Sequence, residues 1–328
     1  MLESIVARFD APIRYAFAYG SGVFEQDGYG ALSPVTATSP QEPEKTTAST
    51  RQQKPMMDFM FAVTHPAHFH SINMQQFPSH YPLHARLFGS SYVSKIQEFG
   101  PGVWFNTYIP MNDVVCLDSV QFNKHYRTSQ QTIKYGVTTV DNLCSDLLNW
   151  NTLYLAGRMH KPLRIIKDDA RVRLTQQVNL VSAVRAALLT LPENFSETDL
   201  FERIAGISYG GDPRMLLPAE NRGKVGNIVR MQAPQFKELY HRLVVGLPGV
   251  HWPIRESRVQ QDGSPKARAA HLRKLPKELL ERVRRNYAMR LDNVVELQAD
   301  EGVYWVHLAG DDDLPKVLIQ GEIPTLCR

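Results

Sequence analysis

The sequence predicts an α+β protein in which a mixed sheet with flanking helices precedes a mainly helical region. Two apolar runs, at 15–19 and 56–63, have the length and composition of buried strands. Helical patterns of apolar residues alternate with them, and from about residue 170 the helical pattern dominates. The chain of 328 residues is long enough for two or three domains.

The first strand ends in a turn that has little side chain. A short amphipathic helix, with apolar residues at 2, 5, 6 and 9, leads to the run Tyr15–Tyr19 and then to Gly20-Ser21-Gly22. A strand that enters a Gly/Ser turn before a helix exposes backbone N–H groups beside a hydroxyl, and such groups bind phosphate. An ordinary tight turn is the alternative, because short glycine motifs recur by chance.

An aspartate interrupts the second predicted strand. Residues 27–55 are rich in Gly, Ser, Thr, Pro, Gln and Glu, which predicts a disordered insertion. The apolar strand that follows contains Asp58. A carboxylate in such a strand is costly unless it is paired or bound to a metal, so Asp58 is a candidate metal ligand. The alternative is a carboxylate that caps a neighbouring turn.

Histidines cluster after this strand. Five of the eleven histidines lie between residues 65 and 84. Such a cluster suggests a transition metal, but neither a carboxylate nor a cysteine stands at ligand spacing. The pattern therefore favours hydrogen-bonding or surface roles over zinc.

A lysine lies in a later strand of the same region. The patterns from 84 to 166 predict, in order, a helix at 84–99, a strand at 103–109, an irregular segment at 112–129, a strand at 133–137, a helix at 141–158 and a strand at 163–166. Lys134, in the fourth of these, is a candidate phosphate ligand if its strand lies beside the Gly/Ser turn. An exposed strand lysine is the alternative.

The second half predicts a winged-helix-like unit followed by a helical region. Helices are predicted at 178–191 and from a capping box at Ser196, and an extended run is predicted at Lys224–Arg230. A basic amphipathic helix at 275–291 suits an anionic membrane surface, with an ordinary solvated face as the alternative. The sequence therefore predicts three units, at 1–168, 169–245 and 246–328.

The composition excludes several classes of protein. The net charge of +4 is mild, so it permits an anionic ligand or a membrane surface and disfavours an RNA substrate. Three widely spaced cysteines provide neither a disulfide framework nor a zinc pattern, which favours a reducing compartment. No run of about 18 apolar residues and no secretory signal is present, so an intracellular protein is expected.

A Gly-Ser turn followed by a strand with an inward aspartate is the arrangement of nucleotidyltransferases. The turn holds the β- and γ-phosphates, and the carboxylate holds Mg²⁺. Such strands usually have acid–x–acid, and here Met60 occupies the second position. A later carboxylate therefore has to help, and the sequence leaves the candidates open: Glu220, Asp212, Asp113 and Asp118.

Several segments between about Tyr19 and Leu243 carry a resemblance to a known family. They are YGSGVF (19–24), MMDFMFAV (56–63), His70 with Asn73, HY (80–81), IKYGV (133–137), DLLNWNTLYLAGR (146–158), KP (161–162), LPENFSETDLF (191–201), ISYGGDPRM (207–215) and KVGNIV (224–229). Taken together, these segments resemble the mitochondrial translocator assembly and maintenance proteins, which are CTP:phosphatidate cytidylyltransferases.

The resemblance implies a nucleotidyltransferase domain joined to a winged-helix-like domain. It implies that CTP reacts with phosphatidic acid to give CDP-diacylglycerol and pyrophosphate, with Mg²⁺ as the cofactor. The product would feed cardiolipin synthesis at the anionic matrix face of the inner mitochondrial membrane, and no nucleic acid would take part. The roles that we assign on this basis are catalysis by Asp58 and Ser21; nucleotide binding by Tyr19, Gly20, Ser21, Lys134, Asn151 and Arg158; substrate binding by Arg214 and Lys224; and metal binding by Asp58 and Glu220.

The chain departs from the family pattern at two places. Thr64-His65 stands where relatives tend to have acidic residues, and relatives continue past the position of Arg328. An amphipathic tail would then serve membrane attachment rather than chemistry. Two alternative functions stay open: a non-enzymatic or nucleotide-sensing assembly factor for protein import, favoured by the missing second carboxylate, and a nucleotidyltransferase that acts on RNA or protein.

Overall fold

The computed structural model describes residues 1–24, 56–117, 126–209, 223–290 and 301–319. The described chain is an α+β protein with a five-stranded sheet, a three-stranded sheet and helices on both faces of the larger sheet. This confirms the predicted fold class. The predicted insertion at 27–55, Arg214 and Glu220 lie outside the described residues.

The larger sheet is mixed, with the order β3-β4-β2-β1-β5. Its strands are β1 (Tyr15–Tyr19), β2 (Met57–Val63), β3 (Trp104–Leu117), β4 (Tyr126–Thr139) and β5 (Arg164–Lys167). Only β2 and β4 pair in parallel among these neighbours. The prediction of an irregular segment at 112–129 is wrong for the described residues 112–117 and 126–129, which lie in β3 and β4. The polar residues there extend the antiparallel β3–β4 ribbon, whose backbone pairing does not require apolar side chains.

Both faces of this sheet are covered. On one face, α1 (Leu2–Val6) and α2 (Pro66–Gln76) pack on alternate strand residues, such as Phe59 and Phe61. On the other face, Phe17 and Met60 belong to a core that continues through the helices of the second half. The helix α3 (Leu83–Gln97) packs beside α2.

The predicted helix at 141–158 is two helices, α4 (Val140–Asn149) and α5 (Tyr154–Arg158). Between them, Trp150 and Leu153 both have φ of 58°, in the left-handed region. Such a conformation is costly for residues that have a side chain, and the local sequence has neither Gly nor Pro to indicate it.

The next part of the chain joins three helices to a small sheet. Its elements are α6 (Ala170–Leu188), β6 (Asn194–Ser196), α7 (Glu197–Gly206), α8 (Lys224–Val245), β7 (Val250–His251) and β8 (Arg258–Gln261), with the sheet order β6-β8-β7. The capping box of Ser196 with Asp199 is confirmed. The extended run predicted at 224–230 is wrong, since this segment is the first two turns of α8. Ile228 and Val229 point their side chains into the core there.

The remaining helices complete the same core. They are α9 (Pro265–Leu272), α10 (Lys277–Arg290), α11 (Glu301–Ala309) and α12 (Leu314–Ile319). In the basic helix α10, Leu279, Val283 and Tyr287 are buried, and Leu280 is partly buried against the same core. One core runs from the sheet to α12, and the predicted domain boundaries at 168/169 and 245/246 stay predictions. No helix in the described ranges is both long and apolar enough to cross a bilayer.

Candidate active site

The Gly/Ser turn lies directly against the aspartate of β2. Gly20 has φ of 84°, and a Cβ at this position would lie 3.1 Å from Asp58 Oδ2. A Cβ on Gly22 would lie 2.4 Å from the carbonyl oxygen of Met56. Both glycines are therefore required, the first for its conformation and its closeness to a carboxylate, the second for the approach of two backbones. Residues 21–24 form a turn rather than the start of a helix.

The parallel pairing of β2 with β4 places Lys134 beside Asp58. The two residues are register partners, and Lys134 Nζ lies 3.9 Å from Asp58 Oδ1. Burial raises the pKa of Asp58, although the positive charges of Lys134 and Arg158 oppose the rise. A carboxylate whose desolvation exceeds the compensation from its neighbours is an acceptor for a further positive charge.

Arg158 stands over the end of β1, next to the same aspartate. Its guanidinium lies 3.6 Å from the ring centroid of Tyr154 and 5.9 Å from that of Tyr19, and it donates to the carbonyl oxygen of Tyr154. Tyr19 is the register partner of Asp58 on the other side. Burial raises the pKa of Tyr19 to about 12, so its hydroxyl stays protonated. The structure thus brings together Tyr19, Gly20, Asp58, Lys134 and Arg158.

Lys161 is a further cation that the sequence patterns did not single out as a ligand. Its Nζ donates to Ser208 Oγ at 2.7 Å and to the carbonyl oxygen of Gly157 at 3.1 Å. Burial first, and then the positive charges of Arg158 and Lys224, lower its pKa to about 7. No carboxylate forms a salt bridge with Lys161 among the described residues. Cations held together in this way favour an anion between them. Lys161 lies in the KP segment of the resemblance, which was its only signal.

Other predicted site residues lie differently. Ser21, between the two glycines, is partly exposed, and Lys224 begins α8 close enough to act on Lys161. Asn151 donates to Ser145 Oγ and lines a cavity of about 650 Å³. The wall of this cavity also contains Leu153, Ile207 and Val225. These residues are the chain neighbours of Tyr154, Ser208 and Lys224, respectively. A volume in this range suits the organic part of a small-molecule substrate.

The predicted hydrogen-bonding role of the histidines is confirmed for two of them. The hydroxyl of Tyr81 donates to His70 Nδ1 at 2.8 Å, and His70 Nε2 donates to Gln97 Oε1 at 2.9 Å. His80 Nδ1 accepts from the hydroxyl of Tyr135 at 2.9 Å. Burial lowers the pKa of both histidines to about 4, so both are neutral at physiological pH. Across the described ranges, no three His, Cys, Asp or Glu side chains stand close enough to share a metal ion.

The donor set at Asp58 fits Mg²⁺ rather than zinc. Mg²⁺ takes oxygen ligands and is commonly held by one or two carboxylates together with substrate phosphates and water. Asp58 supplies one such carboxylate, partly buried and beside a turn that suits phosphate. Of the candidates for a second carboxylate, Glu220, Asp212 and Asp118 lie outside the described residues. A site of this kind, over the central strands of a mixed sheet where β1 ends and β2 begins, defines a phosphate-handling enzyme of the nucleotidyl-transferring class.

Comparison with known proteins identifies the family. The family model described as mitochondrial phosphatidate cytidylyltransferase matches residues 2–325. The chain is 38% identical to a protein of that name from Drosophila melanogaster over 328 residues, covering 95% of this chain and 85% of the relative. It is 37% identical to one from Danio rerio over 284 residues, covering 86% and 73%. It is 36% identical to one from Schizosaccharomyces pombe over 303 residues, covering 91% and 67%.

The chain therefore belongs to the mitochondrial phosphatidate cytidylyltransferase family. This membership confirms the resemblance drawn from the sequence segments and the prediction of an enzyme. The roles of the individual site residues stay predictions, and the geometry supports them to different degrees.

Proposed function

We propose that this protein transfers the cytidylyl group of CTP to phosphatidic acid, which yields CDP-diacylglycerol and pyrophosphate. The observation that carries the proposal is the juxtaposition of Asp58 and Lys134 beside the Gly20–Gly22 turn in a member of this family. The shared names of the relatives support both substrates.

The chemistry requires a nucleophile, a leaving group and positive charge between them. A phosphate oxygen of phosphatidic acid attacks the α-phosphorus of CTP, the new P–O bond forms in line, and the bond to the β-phosphate oxygen breaks. A phosphate monoester has a second pKa of about 6, so the nucleophile is largely ionised near neutral pH and needs little general-base help. Positioning and charge neutralisation therefore dominate.

Each residue of the site has a role in that positioning. The backbone and hydroxyl of Gly20 and Ser21 bind the departing pyrophosphate, and Lys134 and Arg158 neutralise the phosphates next to them. Lys161 and Lys224 hold a second anionic group beside the cavity, and Arg214 is proposed to assist them. Asp58, with Glu220 as a proposed partner, would hold Mg²⁺, which when bound supplies charge neutralisation on the triphosphate.

The finer parts of the proposal concern location and architecture. The order helix, strand, two helices and hairpin over α6 to β8 supports a winged-helix-like second unit. The mild net charge supports a role without nucleic acid. We place the protein peripherally at the matrix face of the inner membrane, where its product feeds cardiolipin synthesis. The family membership disfavours the alternative of a non-enzymatic import factor.

A direct assay tests the reaction. The purified chain is incubated with labelled CTP, Mg²⁺ and liposomes that contain phosphatidic acid, and ATP and GTP are compared with CTP. We expect pyrophosphate release and a labelled liponucleotide with CTP only, and only when phosphatidic acid is present. Equal turnover of the three nucleotides, or no dependence on the lipid, would contradict the proposal.

Lys161 makes substrate binding depend on pH. With a pKa of about 7, it is about half protonated at pH 7 in the free protein. An anion at this site stabilises the ammonium and raises that pKa, so binding of the phosphorylated substrates takes up a proton and weakens as the pH rises above 7. Calorimetry in buffers of different ionisation enthalpy measures the uptake. Lys161→Arg keeps the charge and abolishes the uptake, whereas an unchanged uptake in Lys161→Arg would assign the proton to another group.

A further inference from the structure

The start of α3 exposes large apolar side chains. Leu83, Leu87 and Phe88 are 76%, 77% and 62% exposed, and of residues 83–88 only Ala85 is buried. At Gly89 the helix is kinked, with φ of 80°, and a Cβ there would meet nothing within 4 Å. The start of α3 is therefore anchored through Ala85 and presents three apolar side chains to solvent. Such a group marks an interaction surface.

The charge around this turn selects the kind of surface that it fits. No acidic residue occurs between positions 59 and 97, while Arg86 and Lys95 in the same stretch are basic and exposed. Apolar side chains flanked by basic groups and free of carboxylates suit the interface of an anionic bilayer. The basic helix α10 does not offer the same surface, because Leu279, Val283 and Tyr287 are buried in the core and Leu280 packs against it.

Hydrogen bonds fix this turn relative to the candidate active site. Tyr81, two residues before Leu83, accepts from Asn73 Nδ2 at 2.9 Å, and Asn73 also donates to the hydroxyl of Tyr135 at 2.8 Å. Tyr135 adjoins Lys134 in β4. At the other end of α3, Gln97 accepts from His70, which also bonds Tyr81. The buried network thus holds both ends of α3 against the sheet that carries the site.

We propose that Leu83, Leu87 and Phe88, the α3 surface, enter the interface of an anionic bilayer and hold the site at the membrane that contains phosphatidic acid. The inference rests on the proposed function, because a lipid substrate requires the enzyme to work at a membrane. The enzyme then binds phosphatidic acid at the bilayer that contains it, and the bilayer shields the α3 surface from water.

The test measures membrane binding and turnover separately. The full chain is floated with vesicles of phosphatidylcholine and phosphatidic acid. We expect Leu87→Ser/Phe88→Ser to lower the vesicle partition coefficient by about tenfold or more, the scale for two exposed apolar side chains that lose burial. The matched control is Leu174→Ser/Ile254→Ser, since these side chains are 68% and 69% exposed elsewhere. We expect this control to float like the wild type.

Turnover of short-chain, water-soluble phosphatidic acid distinguishes the two proposals. We expect Leu87→Ser/Phe88→Ser to match the wild type on the soluble substrate and to lose activity on vesicles. Unchanged flotation and vesicle activity in this variant would overturn the α3 surface but leave the reaction intact. A wild type inactive on both substrates would overturn the reaction, while flotation still reports on the surface. Unchanged flotation with a smaller mass in light scattering would assign the α3 surface to a second copy of the chain instead.

Discussion

Replacing Asp58 by asparagine is expected to abolish cytidylyl transfer and to leave the protein as stable as the wild type, or more so. The substitution keeps the shape of the side chain and removes its charge. Loss of the carboxylate that is proposed to hold Mg²⁺ should lower turnover by about a thousandfold or more, since electrostatic stabilisation is the largest contribution in such reactions. Turnover with CTP and phosphatidic acid measures the first effect, and the midpoint of thermal unfolding measures the second.

The sign of the stability effect follows from the pKa of Asp58. Burial raises this pKa, so the folded protein binds the proton more tightly than the unfolded chain does. The stabilising contribution is therefore complete below the unfolded pKa and is lost as the pH rises through the folded value. At neutral pH the ionised carboxylate is held at a cost, which a neutral amide avoids. A residue that a protein keeps at the expense of stability is typical of a functional site.

Asp169 provides the matched control. It is the N-cap of α6, and it accepts from Arg14 at 3.0 Å and from the backbone N–H of Arg171 at 3.0 Å. Burial opposes ionisation here, but these hydrogen bonds prevail and lower the pKa. Asp169→Asn should therefore lose stability above the unfolded pKa and keep its turnover, the opposite pattern. Near wild-type turnover in Asp58→Asn would contradict the catalytic assignment.

The sequence predicted those elements best whose structure depends only on their own residues. The strands at 15–19 and 57–63 and the Gly20–Gly22 turn lie where the apolar runs and glycines placed them. That Lys134 stands beside Asp58 depends on the parallel pairing of β2 with β4, across more than seventy residues of chain, which local patterns do not contain. The cationic role of Lys161 arises in the same way, from a helix end brought against Ser208.

Two mistaken elements show how tertiary packing overrides local preference. Val225, Ile228 and Val229 favour a strand by their β-branched side chains, but their spacing also suits one face of a helix, and packing against α7 decided for the helix. The apolar stripe of 141–158 is continuous, yet the helix is interrupted at 150–153. The interruption depends on the burial of one carboxylate, Asp146, which no periodicity reveals.

Replacing Asp146 by asparagine is expected to destabilise the protein by about 3 kcal/mol or more, because two buried and two partly buried donors would lose a charged acceptor. Its carboxylate accepts from the backbone N–H groups of Thr152, Leu153, Leu155 and Ala156, at 2.8 to 3.1 Å. These bonds compensate the left-handed conformations on either side of Thr152 and start the helix that carries Arg158. An asparagine amide would turn an N–H₂ group toward these donors.

Urea unfolding measures the change in the free energy of unfolding, and turnover below the transition measures how well Arg158 is still placed. Both should fall in Asp146→Asn. The control is Asp141→Asn in the same helix, whose exposed carboxylate pairs with Arg171. An exposed ion pair contributes little because water and salt screen it, so this variant should unfold close to the wild type. If the two variants unfolded alike, the turn at 150–153 would not depend on Asp146, and the placement of Arg158 would have to come from its packing on Tyr154.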